Sequence, residues 1–396
     1  SYPRTMGVGD RLGLAGPGHL RVFQKYDALP VLAQQSIREL NLTGRTYKDV
    51  LDAATFAVFR EDFTRGFGAD GDHLKTRDDV AYALGLGFTM ITLDCSDYIN
   101  NQAADLSDEE ALAKAGDNDE LEARYLNRTF QVEGIQLAFT KGELARIRLI
   151  YDRAIAFATS MYKEFFQEKR ADFELSIDET ITPTTPLQHF YVANELALRG
   201  VRPATVAPRF CGEFQKGVDY VGDLAQFEEE FSVHCAIARH FGYKISVHSG
   251  SDKFSVFPII GRHSRQEFHV KTAGTNWLEA MSIVAKKDPA LYREIHAFAL
   301  ASFEEAKKYY HVTTDLTRIP PISDLSDEEL PELFKQNDAR QLIHITYGLI
   351  LMAQGEKGFL FRDRLYKLWK KEHKAYADAL YAHIARHMDA LGVQDR

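Results

Sequence analysis

Cysteine is scarce: Cys95, Cys211 and Cys235 are the only three in 396 residues. An odd number at uneven spacing supports neither a disulfide framework nor a cysteine-type zinc site, and a reducing, cytoplasmic setting is expected. No run of eighteen apolar residues occurs, and the opening stretch SYPRTMGVGD lacks the charged, apolar and small-residue regions of a secretory signal. Neither membrane insertion nor export is expected. Positive charge is also short, with 48 Lys and Arg against 57 Asp and Glu, a net charge of −9. That balance argues against a nucleic-acid surface or a polybasic membrane patch, and for a small-molecule partner. Complete glycine fingerprints are missing as well. GVGDRLG places its third glycine one position late for G-x-G-x-x-G, GLGF at 85–88 precedes a strand instead of joining strand to helix, and there is no Walker A pattern. There is no G-x-S-x-G, and Cys211 has no local partner, so a nucleophilic hydrolase does not follow. No repeat of fixed period points to a solenoid.

What is present is alternation. Short apolar, β-branched runs are separated by longer stretches of helical period, which argues for βα units around a parallel sheet. Eight runs read as strands: 8–15, 56–59, 88–94, 173–177, 205–210, 244–248, 267–271 and 310–313. Eight is the number a (β/α)8 barrel requires, and a single such domain over 1–396 is expected. The segment 98–172 is too long for a simple crossover and reads as an insertion after the third strand, ending in a helix. The clearest helix runs from Asp223 to Phe241, with Leu224, Phe227, Phe231, Cys235 and Ala238 on one stripe and Asp223 as cap. The segment 316–396 reads as a helical extension packed outside the barrel.

In a parallel barrel the chemistry lies where strands end, and four consecutive strands here end in ionisable groups. They are Asp178-Glu179, then Arg209 through Glu213 to Lys216, then His248-Ser249 through Lys253, then His269 and Lys271. Two histidines with a carboxylate suit one divalent ion of Mn, Ni, Zn, Co or Fe, which makes Glu179, His248 and His269 the candidate ligands. Each histidine singly also reads as a satisfied core residue, so the metal rests on the constellation. Of Asp178 and Glu179, one can bind the metal while the other acts as general base, with Glu213 as the complementary acid, although one of each pair also reads as the cap of the following helix. Arg209, Lys216, Ser249, Lys253 and Lys271 make the rim locally positive and suit an anionic or hydroxyl-rich substrate. The first βα turn, Gly9-Asp10-Arg11-Leu12-Gly13 through Pro17-Gly18-His19, and the polar, glycine-rich run from Gly68 to Lys75, carrying Asp72, His73 and Lys75, read as substrate loops or as ordinary turns.

Six stretches in order, GVGDRLGLAGPGHL, FGADGDHLKT, SIDET, APRFCGEFQKGVDY, SVHSGSDKFSVFP and FHVKTAGT, resemble the tagaturonate epimerase family, whose members are also studied as tagatose or fructose 4-epimerases. The resemblance spans Gly7 to about Thr275. It implies a metal-dependent barrel enzyme that interconverts D-tagaturonate and D-fructuronate by inversion at C4, a step in galacturonate breakdown. It implies Asp178 and Glu213 as the acid/base pair, and Glu179, His248 and His269 as metal ligands. A metal-dependent ketose isomerase or aldolase would use the same rim, and a non-catalytic sugar-acid sensor would bind without needing the acid/base pair. The sequence leaves open the metal, the choice between sugar acid and neutral ketose, and a homo-oligomer.

Overall fold

Parallel strands in the computed structural model, which describes residues 2–168, 170–356 and 358–396, close into an eight-membered barrel. They are β1 (Arg4–Val8), β2 (Leu29–Ser36), β3 (Gly68–Leu74), β4 (Met90–Asp94), β5 (Asp172–Ile177), β6 (Thr205–Pro208), β7 (Lys244–Val247) and β8 (Phe268–Thr272). They follow one another round the barrel in chain order, and β8 closes it on β1 with Thr5 opposite His269 and Gly7 opposite Lys271. The expected (β/α)8 architecture is therefore present, but on a partly different set of strands.

The predicted runs 88–94, 173–177, 205–210, 244–248 and 267–271 coincide with β4 to β8 to within two residues. The run 8–15 shares only Val8 with β1. Beyond it the Asp10 carboxylate accepts the N–H groups of Leu12, Gly13 and Ala15, which curls the chain into a turn before the helix Gly16–Lys25. The run 56–59 lies inside the helix Tyr47–Arg60, started by a Thr46/Asp49 capping box, and Phe56 and Phe59 are its solvent-facing residues. The run 310–313 is irregular. Its Thr313 N–H and hydroxyl are satisfied by the Gln215 side chain, not by a neighbouring strand.

Two barrel strands lie where apolar alternation is weak. β2 contains Pro30 and the buried Gln34 and Gln35, and β3 reads GADGDHL, with Asp70 and Asp72 buried. Gly71 of β3 has no room for a side chain: a Cβ there would sit 2.9 Å from Ile91 and 3.3 Å from Ala83 of the helix Arg77–Leu86. Glycine thus sets the distance between that helix and the sheet. With these two strands in place, the segment 98–172 follows the fourth strand, not the third. It holds two short helices, the hairpin Thr129–Val132/Ile135–Ala138 and the 25-residue helix Lys141–Phe165.

The helix Leu224–Phe241 forms as its pattern demands: Asp223 accepts the N–H groups of Ala225 and Gln226, and Gly242 ends it in the left-handed region at φ 76°. Leu224 is exposed, whereas Phe227, Phe231, Cys235 and Ala238 are buried. From Gly274 onward the helices build a second hydrophobic cluster around Trp277, Tyr292 and Trp369. This extension does more than pack outside the barrel, because His344 lines the cavity at the barrel mouth and Tyr347 lies against Arg11, which lines it too. All three cysteines are buried and unpaired, and no helix among the described residues is long and apolar enough to cross a membrane.

Candidate active site

The site is built on a buried lysine. Lys271, pointing inward from β8, holds its ammonium 2.7 Å from Asp70 and Asp72 of β3 and 2.8 Å from Glu174 of β5, and also donates to Thr92 of β4. All four carriers are nine-tenths or more buried. Three carboxylates around one cation raise the lysine well above its ordinary pKa despite desolvation, so Lys271 is held charged and is not a nucleophilic amine. Burial, with Asp72 and Glu174 alongside, pushes Asp70 up to about 6, whereas the same lysine keeps Glu174 and Asp72 ionised against their own desolvation.

Two of these carboxylates each orient one histidine. Asp72 lies 2.8 Å from Nδ1 of His73, and Glu174 lies 2.7 Å from Nε2 of His248. The far nitrogen of His248, Nδ1, is 3.0 Å from Asp178 at the end of β5, and the two imidazole rings meet edge to face with centroids 4.9 Å apart. His73, Asp178 and His248 each present one ligand atom within 4.8 Å of the others. A carboxylate behind each imidazole and a third carboxylate beside them is the pattern of a metal site with its supporting shell already in place. The donor set, two imidazole nitrogens and one carboxylate oxygen, suits a borderline divalent ion with positions left for substrate. Desolvation disfavours the charged imidazoles, but Asp178 and Glu174 outweigh it at His248, raised to about 10, and Asp72 outweighs it at His73. His73 has φ 58° and Ser249, next to His248, has φ 50°. Left-handed backbone at two non-glycine residues beside the same cluster is the strain that functional sites hold.

The cluster opens into a cavity of about 280 Å³ at the carboxyl ends of the strands, and a second of about 230 Å³ adjoins it. Asp178, His248 and Ser249 line both. Of the residues expected from sequence, Asp72, His73, Glu179, Lys216 and Lys271 line the first, and Arg209 and Glu213 the second. Their roles shift. Glu179 stands outside the ligand cluster, with its carboxylate 3.8 Å from Arg38. His269 is two residues deeper in the barrel than Lys271, where its Nδ1 pairs at 2.8 Å with Thr5 at the start of β1. The expected ligand set of Glu179, His248 and His269 is thus not brought together, because a strand's alternate residues point inward at different depths. Lys75 is on the outer rim, bonded to Ser96 and Asp97. Arg209 donates to the carbonyl of Thr180.

Lys253 lines neither cavity. Its ammonium is buried and donates to the carbonyls of Gln215, Val218 and Ser251 at 2.6–2.9 Å, which uses all three protons. It ties the loops after β6 and β7 together. Lys253→Met leaves three carbonyls without a donor, and we expect a loss of about 3 kcal/mol or more in urea unfolding. A smaller loss than for Lys216→Met, whose ammonium has one protein hydrogen bond, to Ser249, would contradict this role. A second His/Asp group, Asp252, His383 and His387, is buried beside it. His387 accepts the Asp252 N–H at Nε2 and contacts the His383 carbonyl through Nδ1, so both its nitrogens are engaged and the group pins the helix His373–Ala390 to the loop after β7.

Sequence reasoning missed Glu174 and Thr92, which lie inside strands instead of at their ends, and Gln34, Arg38 and His344 of the cavity wall; Arg11 and Asp70 fall in the two stretches read as substrate loops. The signal for Glu174 was in plain view: an acidic residue in the middle of the apolar run FELSI has to be paired.

A closed parallel barrel with histidines and carboxylates converging on one polar cavity at its carboxyl end defines a (β/α)8 enzyme working by acid–base chemistry on a small polar substrate. The chain belongs to the tagaturonate epimerase family, whose model matches residues 1–391. It is 44% identical over 392 residues to the tagaturonate/fructuronate epimerase of Thermotoga maritima, covering 98% of this chain and 80% of that one. The fold is similar to crystal structures of the fructuronate-tagaturonate epimerase of Cohnella laeviribosi. Its complex with one glycerol has a TM-score of 0.97 at 54% identity, and the native form 0.97 at 53%, each over 99% of this chain and 82% of that one.

Proposed function

We propose that the chain is a carbohydrate epimerase that interconverts D-tagaturonate and D-fructuronate by inversion at C4, with one divalent ion held by His73, His248 and Asp178. The observation that carries the metal is the paired support of the imidazoles, Asp72 behind His73 and Glu174 behind His248, both fixed by Lys271. A bound ion would supply a Lewis acid for the ketone and hydroxyl oxygens. The carbon inverted is β to the C2 ketone, so removing a proton from C3 does not invert it, whereas opening and re-forming the C3–C4 bond does.

Asp178 borders both cavities and takes the proton of the C4 hydroxyl; the C3–C4 bond breaks, and its electron pair moves toward the C2 oxygen. The aldehyde carbon turns over and the bond re-forms on its other face. Glu213, which lines the second cavity and enters the cycle protonated, gives a proton to the C4 oxygen. Asp178 then releases its proton to solvent and Glu213 takes one up, which returns both to their starting states. Asp178 accordingly has two duties, ion ligand and proton acceptor, on a carboxylate whose Oδ1 also accepts the Ser176 hydroxyl and whose Oδ2 faces His248.

Carbon NMR of D-tagaturonate tests the reading on protein stripped with a chelator and then resupplied with Mn, Ni or Zn. D-fructuronate should form only after resupply. Conversion of D-tagatose or an aldose instead would favour a neutral ketose epimerase or an isomerase. Exchange of a carbon-bound hydrogen with solvent deuterium during turnover would contradict the bond-opening route.

A further inference from the structure

One end of the first cavity, lined by Arg11 and Lys216, is positive and short of partners. Arg11, in the turn after β1, is 2% exposed; its Nε donates to Glu39 at 2.8 Å and its guanidinium lies 3.7 Å above the Tyr347 ring. Its Nη1 is buried with no partner although the residue lines the cavity. A buried guanidinium nitrogen left unpaired is costly unless something binds there. Lys216 lines the same wall and gives one hydrogen bond, to Ser249 at 3.1 Å. Burial lowers its pKa, with Arg11 and Arg38 pulling in the same direction.

The helix Gly274–Lys287 starts on this wall. Its first turn has no side-chain cap, and Ala273 and Gly274 face the cavity. His344, 1% exposed, packs so closely on it that a Cβ at Gly274 would lie 1.8 Å from Nε2, and neither ring nitrogen has a partner. An uncapped helix start, an unpaired guanidinium nitrogen and a lysine are together an anion seat. Glu39 offsets one of the two cationic side chains, which leaves a charge suited to one carboxylate and not to a phosphate dianion.

We propose that Arg11, Lys216 and the first turn of the helix Gly274–Lys287 hold the carboxylate of the substrate, so that the acid end of the uronate points toward the C-terminal extension and the reacting carbons toward His73 and His248. This rests on the epimerase reading for the substrate, and on the unpaired groups for the seat. Arg209 is outside this seat: it lines the second cavity and donates to the Thr180 carbonyl.

The test compares Arg11→Met and Lys216→Met with wild type on D-tagaturonate and on D-tagatose, which has a hydroxymethyl group in place of the carboxylate. For the uronate, kcat/KM should fall on the order of 100-fold, chiefly through KM, and for the ketose by less than about threefold. Equal losses on both sugars would overturn the seat. Calorimetry with D-glycerate and glycerol reads the seat without turnover. Wild type should bind the acid more tightly than the alcohol, and both variants should lose that preference. A preference retained in both variants, or absent in wild type, overturns the seat. A preference that depends on Arg11 in a protein that leaves D-tagaturonate unchanged would uphold the seat and contradict the epimerase reading.

Discussion

Asp178→Asn is expected to lower kcat by about 10³-fold, while metal affinity changes much less. The carboxylate is the one acidic group that borders both cavities and contacts His248, at 3.0 Å, so it stands between the ion seat and the reacting hydroxyl. An amide keeps an oxygen for coordination but cannot accept the proton. Asp178→Ala removes both functions and should lose tightly bound metal as well as activity. Steady-state kinetics with metal analysis of the purified variants separates the two. If Asp178→Asn keeps more than about a tenth of wild-type kcat, Asp178 is not the proton acceptor.

Lys271→Met should be the most damaging single change to stability, costing about 3–5 kcal/mol, because it leaves three buried carboxylates facing one another without their cation. The sequence places Lys271 among substrate ligands, but its ammonium is committed to Asp70, Asp72, Glu174 and Thr92. The deficit should depend on pH. Asp70 is already raised to about 6 with the lysine present, and without it all three carboxylates move up. A carboxyl whose folded pKa exceeds its unfolded value of about 4 binds its proton more tightly when folded, so stability is lost as pH rises through the folded value. Urea unfolding at pH 5 and pH 8 should therefore find the variant closer to wild type at pH 5. An equal deficit at both would mean that the carboxylates are not coupled through this lysine. The variant should also bind metal poorly, since Asp72 and Glu174 lose the group that holds them behind His73 and His248.

The barrel was legible because five of its strands are apolar runs that stop abruptly at polar residues. β2 and β3 were not, since their inward residues include Gln34, Asp70 and Asp72, and a polar interior erases the alternation that marks a strand. The same feature hid half of the site. Rules that read strand ends find His248 and Asp178, but they do not find Glu174, which acts from inside a strand. They also overvalue His269, which shares a strand with Lys271 yet sits deeper, against Thr5. Lys253 misled for a related reason, because a lysine after a strand reads as a ligand-binding group until its three carbonyl partners are seen. His73 was noticed as a substrate residue, and only its distance to His248 and Asp178 makes it a ligand. Arg11 and His344 line one cavity from distant parts of the chain, a juxtaposition that no local pattern encodes.

In the proposed site His73, Asp178 and His248, and not Glu179 or His269, hold one divalent ion. Metal content and Mn titration of wild type, His73→Ala, Glu179→Gln and His269→Gln test it most directly. One ion per chain is expected in wild type, Glu179→Gln and His269→Gln, and none tightly held in His73→Ala. Retention of the ion in His73→Ala, with its loss in Glu179→Gln and His269→Gln, would contradict it.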